Sequence, residues 1–315
     1  MKRAVLFALV AASFFLGLLF GSTRISMAGF FSSPIVWSVR FPRVVMAFVA
    51  GASLSITGLS FQSVLKNPLV DPYIIGVSSG AAFGAALSMA LAERMGFFWI
   101  LILPFVAFSF SLLAAFLSLV FAKKAGGISV EHLVLAGVSM NMIFSAAAAF
   151  VLFFLRRSAS GYAAWIFGSF SGVVLKDSYL PLSFSVFFLL FLIFHSKDLD
   201  AFSLGEDFAK VVGVESERMK LLVFVFGSFL TSSVVAAVGS IGFVGLIVPH
   251  AVRMVFGPSH RSGVVLSFFA GGSFLVLVDL LSRVVAPPVE IPVGIMTSFI
   301  GIPIFLFLLR RGGGA

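Results

Sequence analysis

The chain has 315 residues, of which 60% are hydrophobic, 15% are aromatic and only 10% are charged. Water-soluble domains carry about 25% charged residues, so this composition excludes a soluble globular protein. Cysteine is absent, which excludes both a disulfide framework and a thiolate metal site. The formal net charge is +9, but the basic residues lie at the ends of apolar runs. This pattern indicates membrane topology rather than a nucleic-acid surface.

Long uncharged runs divide the chain into predicted membrane spans, because a helix needs about 20 apolar residues to cross a bilayer. The first run is long for a signal peptide, so we interpret it as a retained first helix. A tenth span is predicted at Gly242–Gly257, where a proline, a histidine and an arginine interrupt an apolar stretch. The nine uncharged runs are Ala4–Thr23, Val44–Leu65, Pro72–Ala92, Met95–Ala122, Leu133–Leu155, Ser178–Phe194, the first part of Leu221–Pro249, Ser262–Val278 and Ile291–Leu309. The sequence therefore predicts an all-α, polytopic membrane protein with about ten transmembrane helices.

An even number of spans places both basic termini, Lys2–Arg3 and Arg310–Arg311, on one side of the membrane. Lys and Arg are more frequent in the loops of that side than in the opposite loops, which include Arg24 and Arg156–Arg157. Because basic residues collect in cytoplasmic loops, we predict that both termini are cytoplasmic.

Two segments have a helical pattern but do not resemble spans. Residues 160–172 are apolar and rich in small side chains, which is typical of a short helix at the outer surface. Residues 202–220 form the most charged stretch and follow the sixth predicted span. That stretch could be a connecting loop, a helix resting on lipid, or a docking helix for a cytoplasmic partner. Its mixed charge favours a protein groove over lipid.

An apolar stripe runs along this charged segment at helical spacing. It consists of Leu204, Phe208, Val211 and Val212. Ser203 and Glu206 have the spacing of an N-terminal capping box, and Gly213 suits the end of the helix. We therefore predict a short amphipathic helix here.

No residue pattern indicates an active site. The carboxylates are not paired for acid–base chemistry, and the four histidines lack metal-ligand spacing. A phosphate-binding G-x-x-x-x-G-K-[ST] loop is absent, so ATP-driven transport would need a separate ATP-binding subunit. Asp279 and Arg283 are four residues apart within a span, which predicts a neutralising ion pair rather than a proton relay. We expect no catalytic residue, no metal site and no cofactor.

The seven residues KNPLVDP at 66–72 connect two apolar runs. Pro68 and Pro72 cannot continue a helix, and Asn67 and Asp71 can hydrogen-bond free backbone groups. We predict a rigid structural corner between the second and third spans.

The corner belongs to a longer stretch, residues 40–84, that resembles the signature of the FecCD-type permeases. The matching pieces are R-x-P-R at the start of the second span, G-x-x-x-Q near its end, N-P-L-x-x-P in the corner and G-V-S-x-G-A at the third span. Further matches follow in family order at 132–139, 165–172, 204–214, 242–253 and 290–309. The family comprises membrane subunits of type II ABC importers for iron–siderophore, haem and cobalamin.

This resemblance implies a single transmembrane permease domain, 1–315, with a cytoplasmic coupling-helix segment at about 202–219. It implies a pore between two permease copies, two cytoplasmic ATP-binding subunits, an extracytoplasmic substrate-binding protein and a metal-chelate substrate. The implied location is the cytoplasmic membrane of a bacterium or archaeon. No nucleic acid is expected as a partner.

The resemblance also assigns roles to individual residues. Coupling to the ATPase is expected at Leu204, Gly205, Glu206, Phe208, Val211 and Val214. Docking of the binding protein is expected at outward-facing Arg40, Arg43 and Arg283, with interfacial anchoring as the alternative for the first two. Pore or gate candidates are Ser129, Val130, Glu131, Ser139, Met140 and Asn141. The structural corner is expected at Asn67, Pro68, Asp71 and Pro72.

Several alternatives stay open at the level of sequence. The cargo is expected to be an iron–siderophore, with cobalamin or haem as alternatives. An ion-coupled secondary carrier would work without ATPase subunits and would need a titratable intramembrane site. A channel or membrane scaffold would neither turn over nor stimulate an ATPase. The permease pair could consist of identical or different subunits.

Overall fold

A computed structural model describes residues 2–23, 30–124, 127–154 and 159–312. Three basic residues of the topology prediction, Arg24, Arg156 and Arg157, lie outside the described residues. The helices are α1 Lys2–Leu19, α2 Phe41–Val64, α3 Val77–Met95, α4 Phe98–Leu101, α5 Leu103–Ala122, α6 Val130–Phe153, α7 Ala159–Ile166, α8 Tyr179–Phe194, α9 Ser196–Leu204, α10 Glu206–Val211, α11 Ser216–Val238, α12 Val244–Phe256, α13 His260–Val284 and α14 Val293–Gly312. A π-helical turn, Val36–Arg40, precedes α2, and 3₁₀ turns cover Pro72–Ile75 and Leu175–Ser178.

Two short strands interrupt this helical order. β1 Lys123–Lys124 pairs antiparallel with β2 Gly127–Ile128, and Lys123 lies opposite Ile128. The resulting hairpin connects α5 to α6. We call residues 123–128 the α5–α6 hairpin.

Seven helical segments are long and apolar enough to cross a membrane among the described residues. They are Lys2–Leu19, Val36–Val64, Leu103–Ala122, Val130–Phe153, Leu175–Phe194, Ser216–Val238 and His260–Val284. Val244–Phe256 and Val293–Phe307 are shorter apolar helices, and α3 has 19 residues with Glu93 and Arg94 in its last turn. These ten helices occupy the ten predicted spans. The predicted fold class is confirmed.

The interrupted tenth span is a separate helix, as predicted. α11 ends at Val238 with Gly239 as its C-cap, and α12 begins after Phe243, a non-glycine residue with φ of 70°. Pro249 lies inside α12. The short helix predicted within 160–172 is α7.

The chain forms two compact units by contact. Unit 1 contains residues 1–59, 169–197 and 241–315. Its helices approach closely at small residues, because a Cβ on Gly51 would overlap the carbonyl of Gly271, and one on Gly58 would overlap Gly245. This is the packing that small residues permit between membrane helices.

Unit 2 contains residues 60–168 and 198–240. Its core packs α3, α5, α6 and α7 around small side chains, with Phe83 edge-on to Phe110 at 4.8 Å between ring centres. Ser111 Oγ donates to the carbonyl of Val77 at 2.8 Å and Ser118 Oγ to that of Ile75 at 3.0 Å. These bonds fix α5 against the start of α3.

Candidate functional site

The charged segment at 202–220 is not one helix. α9 ends at Leu204, the chain turns at Gly205 with φ of 141°, and α10 then covers six residues. The predicted capping box is wrong, because Ser203 Oγ donates to the carbonyl of Asp200 within α9 at 2.7 Å. α10 therefore begins after Gly205, and no side-chain cap precedes it.

The end of α10 is closed by backbone hydrogen bonds. Gly213 has φ of 87° and donates to the carbonyl of Lys210 at 3.0 Å, while Val214 donates to that of Ala209 at 2.9 Å. This pair of bonds is a Schellman motif, in which glycine is favoured because the backbone is left-handed. The prediction of a helix exit at Gly213 is confirmed.

The short helix α10 shows an apolar surface outward. Ala209 is fully buried, whereas Phe208 is 45% exposed and Val211 is 84% exposed. Leu204, just before α10, is 71% exposed. We call Leu204, Phe208, Val211 and Val212 the coupling stripe. Gly205, Glu206 and Val214 are half-buried beside it. Water alone does not favour this arrangement, since it leaves large apolar side chains unburied.

A buried lysine lies at the base of α10. Lys220, on α11, is only 3% exposed. Its ammonium donates to Glu206 Oε1 at 2.9 Å, to Glu217 Oε1 at 2.7 Å and to the carbonyl of Ile128 at 3.4 Å. An ammonium has three N–H donors, so all three are used. We call Lys220, Glu206 and Glu217 the lysine cluster.

The two carboxylates of the lysine cluster have further partners. Glu206 also pairs with Lys210 at 3.1 Å, one turn along α10. Burial raises the pKa of Glu206, but hydrogen bonds from Lys220 and Lys210 outweigh it and place this pKa below its ordinary value. Glu217 accepts the backbone N–H of Ile128. A Cβ on Gly127 would overlap the Glu217 carboxylate, so glycine is required there.

The corner at 66–72 begins with a second Schellman motif, at the end of α2. Asn67 N–H donates to the carbonyl of Gln62 at 3.1 Å, and Lys66 N–H donates to that of Ser63 at 3.3 Å. Lys66 takes the left-handed position with φ of 49°, and the proline that follows prevents the helix from continuing.

The corner's polar side chains bond its backbone. Asn67 Oδ1 accepts from Leu69 N–H at 2.9 Å. Asp71 caps the 3₁₀ turn by accepting from Tyr73 N–H at 2.9 Å. Asn67 and its partner Leu69 are both exposed. Lys66 Nζ lies 4.0 Å from the position of a Cβ on Gly205, which brings the corner beside the coupling segment.

Three gate candidates, Ser129, Val130 and Glu131, begin α6 directly after the α5–α6 hairpin. Ser129 is the N-cap residue, and its side chain accepts from His132 N–H. Val130 is half-buried and Glu131 is exposed. The lysine cluster therefore contacts the hairpin next to the gate candidates.

The other pore candidates lie two turns further along α6. Ser139 is exposed, and Asn141 Nδ2 donates to the carbonyl of Tyr73 at 3.5 Å. Met140 is 6% exposed and packs with Ala114 in the core of unit 2. Met140 is thus a packing residue in this structure, which corrects its assignment as a lining residue.

The three predicted docking arginines lie in unit 1 and are buried. Arg43 is 5% exposed and pairs with Asp279 at 2.9 Å and with Glu290 at 2.8 Å. Arg283, 3% exposed, pairs with the same Asp279 at 3.1 Å. The predicted ion pair between Asp279 and Arg283 is confirmed. We call Arg43, Asp279, Arg283 and Glu290 the arginine cluster.

Arg40, the remaining predicted docking residue, closes the end of α1. Its Nη1 donates to the carbonyl of Leu18 at 2.9 Å and to that of Leu19 at 2.6 Å. Free carbonyls at a helix end favour such a donor. The predicted docking role does not fit their side chains in this structure, because each guanidinium is buried and bonded inside unit 1.

Three of these ionic residues were not selected from the sequence. Glu217 and Lys220 are three residues apart on a helix, a spacing that could have predicted their pair. Glu290 lies 247 residues from Arg43, and no local pattern links them.

The fold is that of a type II ABC importer permease. The structure is similar to an inward-facing conformation of a metal-chelate type ABC transporter, with a TM-score of 0.88 and 29% identity over 98% of this chain and 99% of that one. The chain belongs to the FecCD transport family, which residues 9–311 match. It is a transport subunit and not an enzyme.

Two relatives illustrate the range of the family. The cobalamin import system permease protein BtuC of Halobacterium salinarum is 38% identical over 276 residues, covering 88% of this chain and 73% of the relative. The iron(3+)-hydroxamate import system permease protein FhuG of Bacillus subtilis is 32% identical over 325 residues, covering 98% and 96%. Relatives with similar sequence identity to this chain are therefore named for different cargoes.

Proposed function

We propose that this chain is the membrane subunit of an ATP-driven importer of a metal chelate, acting as a pair of identical copies. Two cytoplasmic ATP-binding subunits would drive it, and an extracytoplasmic binding protein would deliver the cargo. The observation that carries the proposal is the coupling stripe, an apolar surface on a charged segment outside the predicted spans. A groove on a cytoplasmic partner fits such a surface.

The cargo we propose is an iron–siderophore. The similarity to an iron-hydroxamate permease along almost the whole chain supports this choice. Cobalamin is the second candidate, because the cobalamin import relative is the more identical of the two over a shorter stretch. In both cases the metal would stay inside its chelator.

One face of α6 supports a pathway along this helix. Leu135, Val138 and Met142 are 64%, 48% and 70% exposed, and the exposed Ser139 lies among them. Their spacing places them on one side of the helix. We propose that this face, with the Glu131 end nearest the hairpin, lines the space shared with the second copy.

Ion-coupled transport is less well supported. Asp279 is the acid in a predicted span that such a carrier would use, but its carboxylate is fully buried between Arg43 and Arg283. Both guanidinium groups bind this carboxylate directly, so it is engaged in internal ion pairs rather than open to a transported ion.

The test replaces Phe208 by Asp and measures co-purification of the ATP-binding subunit. Aromatic anchors at interfaces typically contribute about 2 kcal/mol or more, so we expect retention of that subunit to fall at least about thirtyfold. Val174→Asp is the matched control, because Val174 is a loop residue with 43% exposure, close to that of Phe208. Normal retention in Phe208→Asp would contradict docking through the coupling stripe.

A further inference from the structure

The lysine cluster connects α10 and α11 to the α5–α6 hairpin, where Ile128 lies 92 residues before Lys220. Glu206 belongs to α10, Lys220 and Glu217 belong to α11, and Ile128 belongs to the α5–α6 hairpin. Ile128 contributes both its carbonyl, which accepts from Lys220, and its N–H, which donates to Glu217. The lysine cluster therefore binds the hairpin through both backbone polar groups of Ile128.

Because Lys220 is buried, its hydrogen bonds hold the connected segments together. An ammonium taken out of water is unfavourable unless its donors are satisfied, and the Lys220 side chain is only 4% exposed. Its three acceptors lie on three different segments. Any displacement of one segment alone would leave a buried donor without a partner.

Glu217 and Glu206 differ in the hydrogen bonds that hold them. Glu217 holds both Lys220 and the hairpin backbone, and Gly127 leaves just enough space for its carboxylate. Glu206 instead divides one oxygen, Oε1, between Lys220 and Lys210. Separation of α10 from Lys220 breaks one hydrogen bond, whereas separation of the hairpin breaks two, and Glu206 keeps Lys210 as a partner.

The hairpin passes directly into α6. Ser129 N–H donates to the carbonyl of Ala122 at 3.2 Å, which closes the hairpin onto the end of α5. Ser129 then caps α6. A shift of Ile128 is consequently a shift of the first turn of α6.

We propose that Lys220 is a positioning residue that transmits movement of α10 to the start of α6 through the α5–α6 hairpin. The inference rests on the proposed function, in which an ATP-binding subunit contacts α10 from outside. In this arrangement the coupling stripe receives the movement, the lysine cluster passes it on, and the hairpin delivers it to the gate candidates. Glu217 acts with Lys220, and Glu206 is the releasable end.

The absence of cysteine from this chain allows two spin labels to be attached at chosen positions in it. Asp207 on α10 and Lys123 on the hairpin are both exposed, and cysteines at these positions report the separation of the two segments. The complex with its ATP-binding subunits is measured without nucleotide and after trapping with ATP and vanadate. In the parent protein we expect the same dipolar broadening in both states, because the segments move together.

Two variants break the connection at different points. Lys220→Met removes the ammonium, and Glu206→Leu removes the acceptor on α10 while leaving Lys220 on Glu217 and Ile128. In both variants we expect the broadening to be lost on trapping. For Lys220→Met we also expect the ATP-binding subunits to stay bound and basal ATPase activity to stay at the parent level, because Lys220 lies outside the coupling stripe. Lys220→Arg should restore the broadening in part.

The matched control is the double variant Glu215→Gln with Arg218→Gln. This pair lies on the same helix at 3.5 Å, but both side chains are more than 70% exposed, so we expect parent behaviour. Retained broadening on trapping in both Glu206→Leu and Lys220→Met would overturn the inference. If the parent chain itself fails to hold ATP-binding subunits, the proposed function fails instead, and this is seen before any label is attached.

Discussion

The arginine cluster of unit 1 and the lysine cluster of unit 2 are both ion networks around a buried charge, but they differ in the acid at their centre. Asp279, which pairs with both arginines, has no exposed side-chain surface, and the two arginine side chains are 6% exposed or less. Glu290, the outer acid of that cluster, is 31% exposed. In the lysine cluster both acids are partly exposed, with 28% of the Glu206 side chain and 40% of the Glu217 side chain accessible. An enclosed acid shared by two arginines fixes helices in place, whereas partly exposed acids can exchange partners.

The backbone groups that each cluster binds show the same difference between the two clusters. Arg283 also donates to the carbonyls of Gly17 and Phe20, at the end of α1. The arginine cluster thus joins the ends of three helical segments of unit 1. The lysine cluster joins one short helix and a hairpin to a long helix. The first arrangement stabilises, and the second connects parts that we propose to move.

The largest expected effect is in the arginine cluster. Asp279→Asn removes the charge between Arg43 and Arg283 while keeping the shape of the side chain. Removing one partner of a buried pair typically costs about 3–5 kcal/mol, so we expect a clear fall in melting temperature of the detergent-solubilised protein. Asp207→Asn, at an exposed acid outside the spans, is the control.

An unchanged melting temperature in Asp279→Asn would mean that the cluster is not a stabilising element.

The same reasoning changes how charge reversal at Arg43 is to be interpreted. Loss of binding-protein docking in Arg43→Glu would reflect a damaged unit 1, because Arg43 already pairs with two internal acids. Docking has to be tested at residues whose side chains reach the surface.

A smaller effect is expected from Gly127→Ala in the hairpin. The backbone there has φ of 118°, and the new Cβ would overlap the Glu217 carboxylate. Backbone strain of this kind costs about 1–3 kcal/mol, and displacement of Glu217 would add to it. We expect reduced stability together with the loss of parent-like label separation.

Gly96→Ala separates the two causes. Gly96 has a similar φ of 104°, but apart from its own neighbours along the chain no atom of the described residues lies within 4 Å of its added Cβ. Its melting temperature therefore reports the backbone strain alone. Equal losses in Gly96→Ala and Gly127→Ala would show that contact with Glu217 contributes nothing.

The spans and the corner could be predicted because their signals are local. Apolar run length gives the helices, and Pro68 after Asn67 gives the end of α2. The ion clusters could not be predicted in full. Arg43 and Asp279 are 236 residues apart, and their pairing depends on helix packing that no periodicity encodes. Basic residues were interpreted as topology signals, which concealed the buried role of Lys220.

The smallest expected effect is the pH dependence of the α10 end. Hydrogen bonds from Lys220 and Lys210 hold the pKa of Glu206 below its ordinary value despite some burial. A lowered carboxyl pKa adds stability that is complete above the unfolded-state value and is lost as pH falls through the folded-state value. The contribution should therefore be constant between pH 8 and pH 6 and should decrease only below the ordinary glutamate range of about 4 to 4.5.

The measurement compares melting temperatures of the parent chain and Glu206→Gln across this pH range. Other carboxylates titrate in both proteins, so their difference isolates Glu206. We expect a small, constant difference at neutral pH that shrinks in acid, because a protonated Glu206 loses the same charge that the glutamine lacks. High salt should reduce the difference as well, since Glu206 is partly exposed. A difference that grows in acid would contradict an ionised Glu206 as the partner of Lys220.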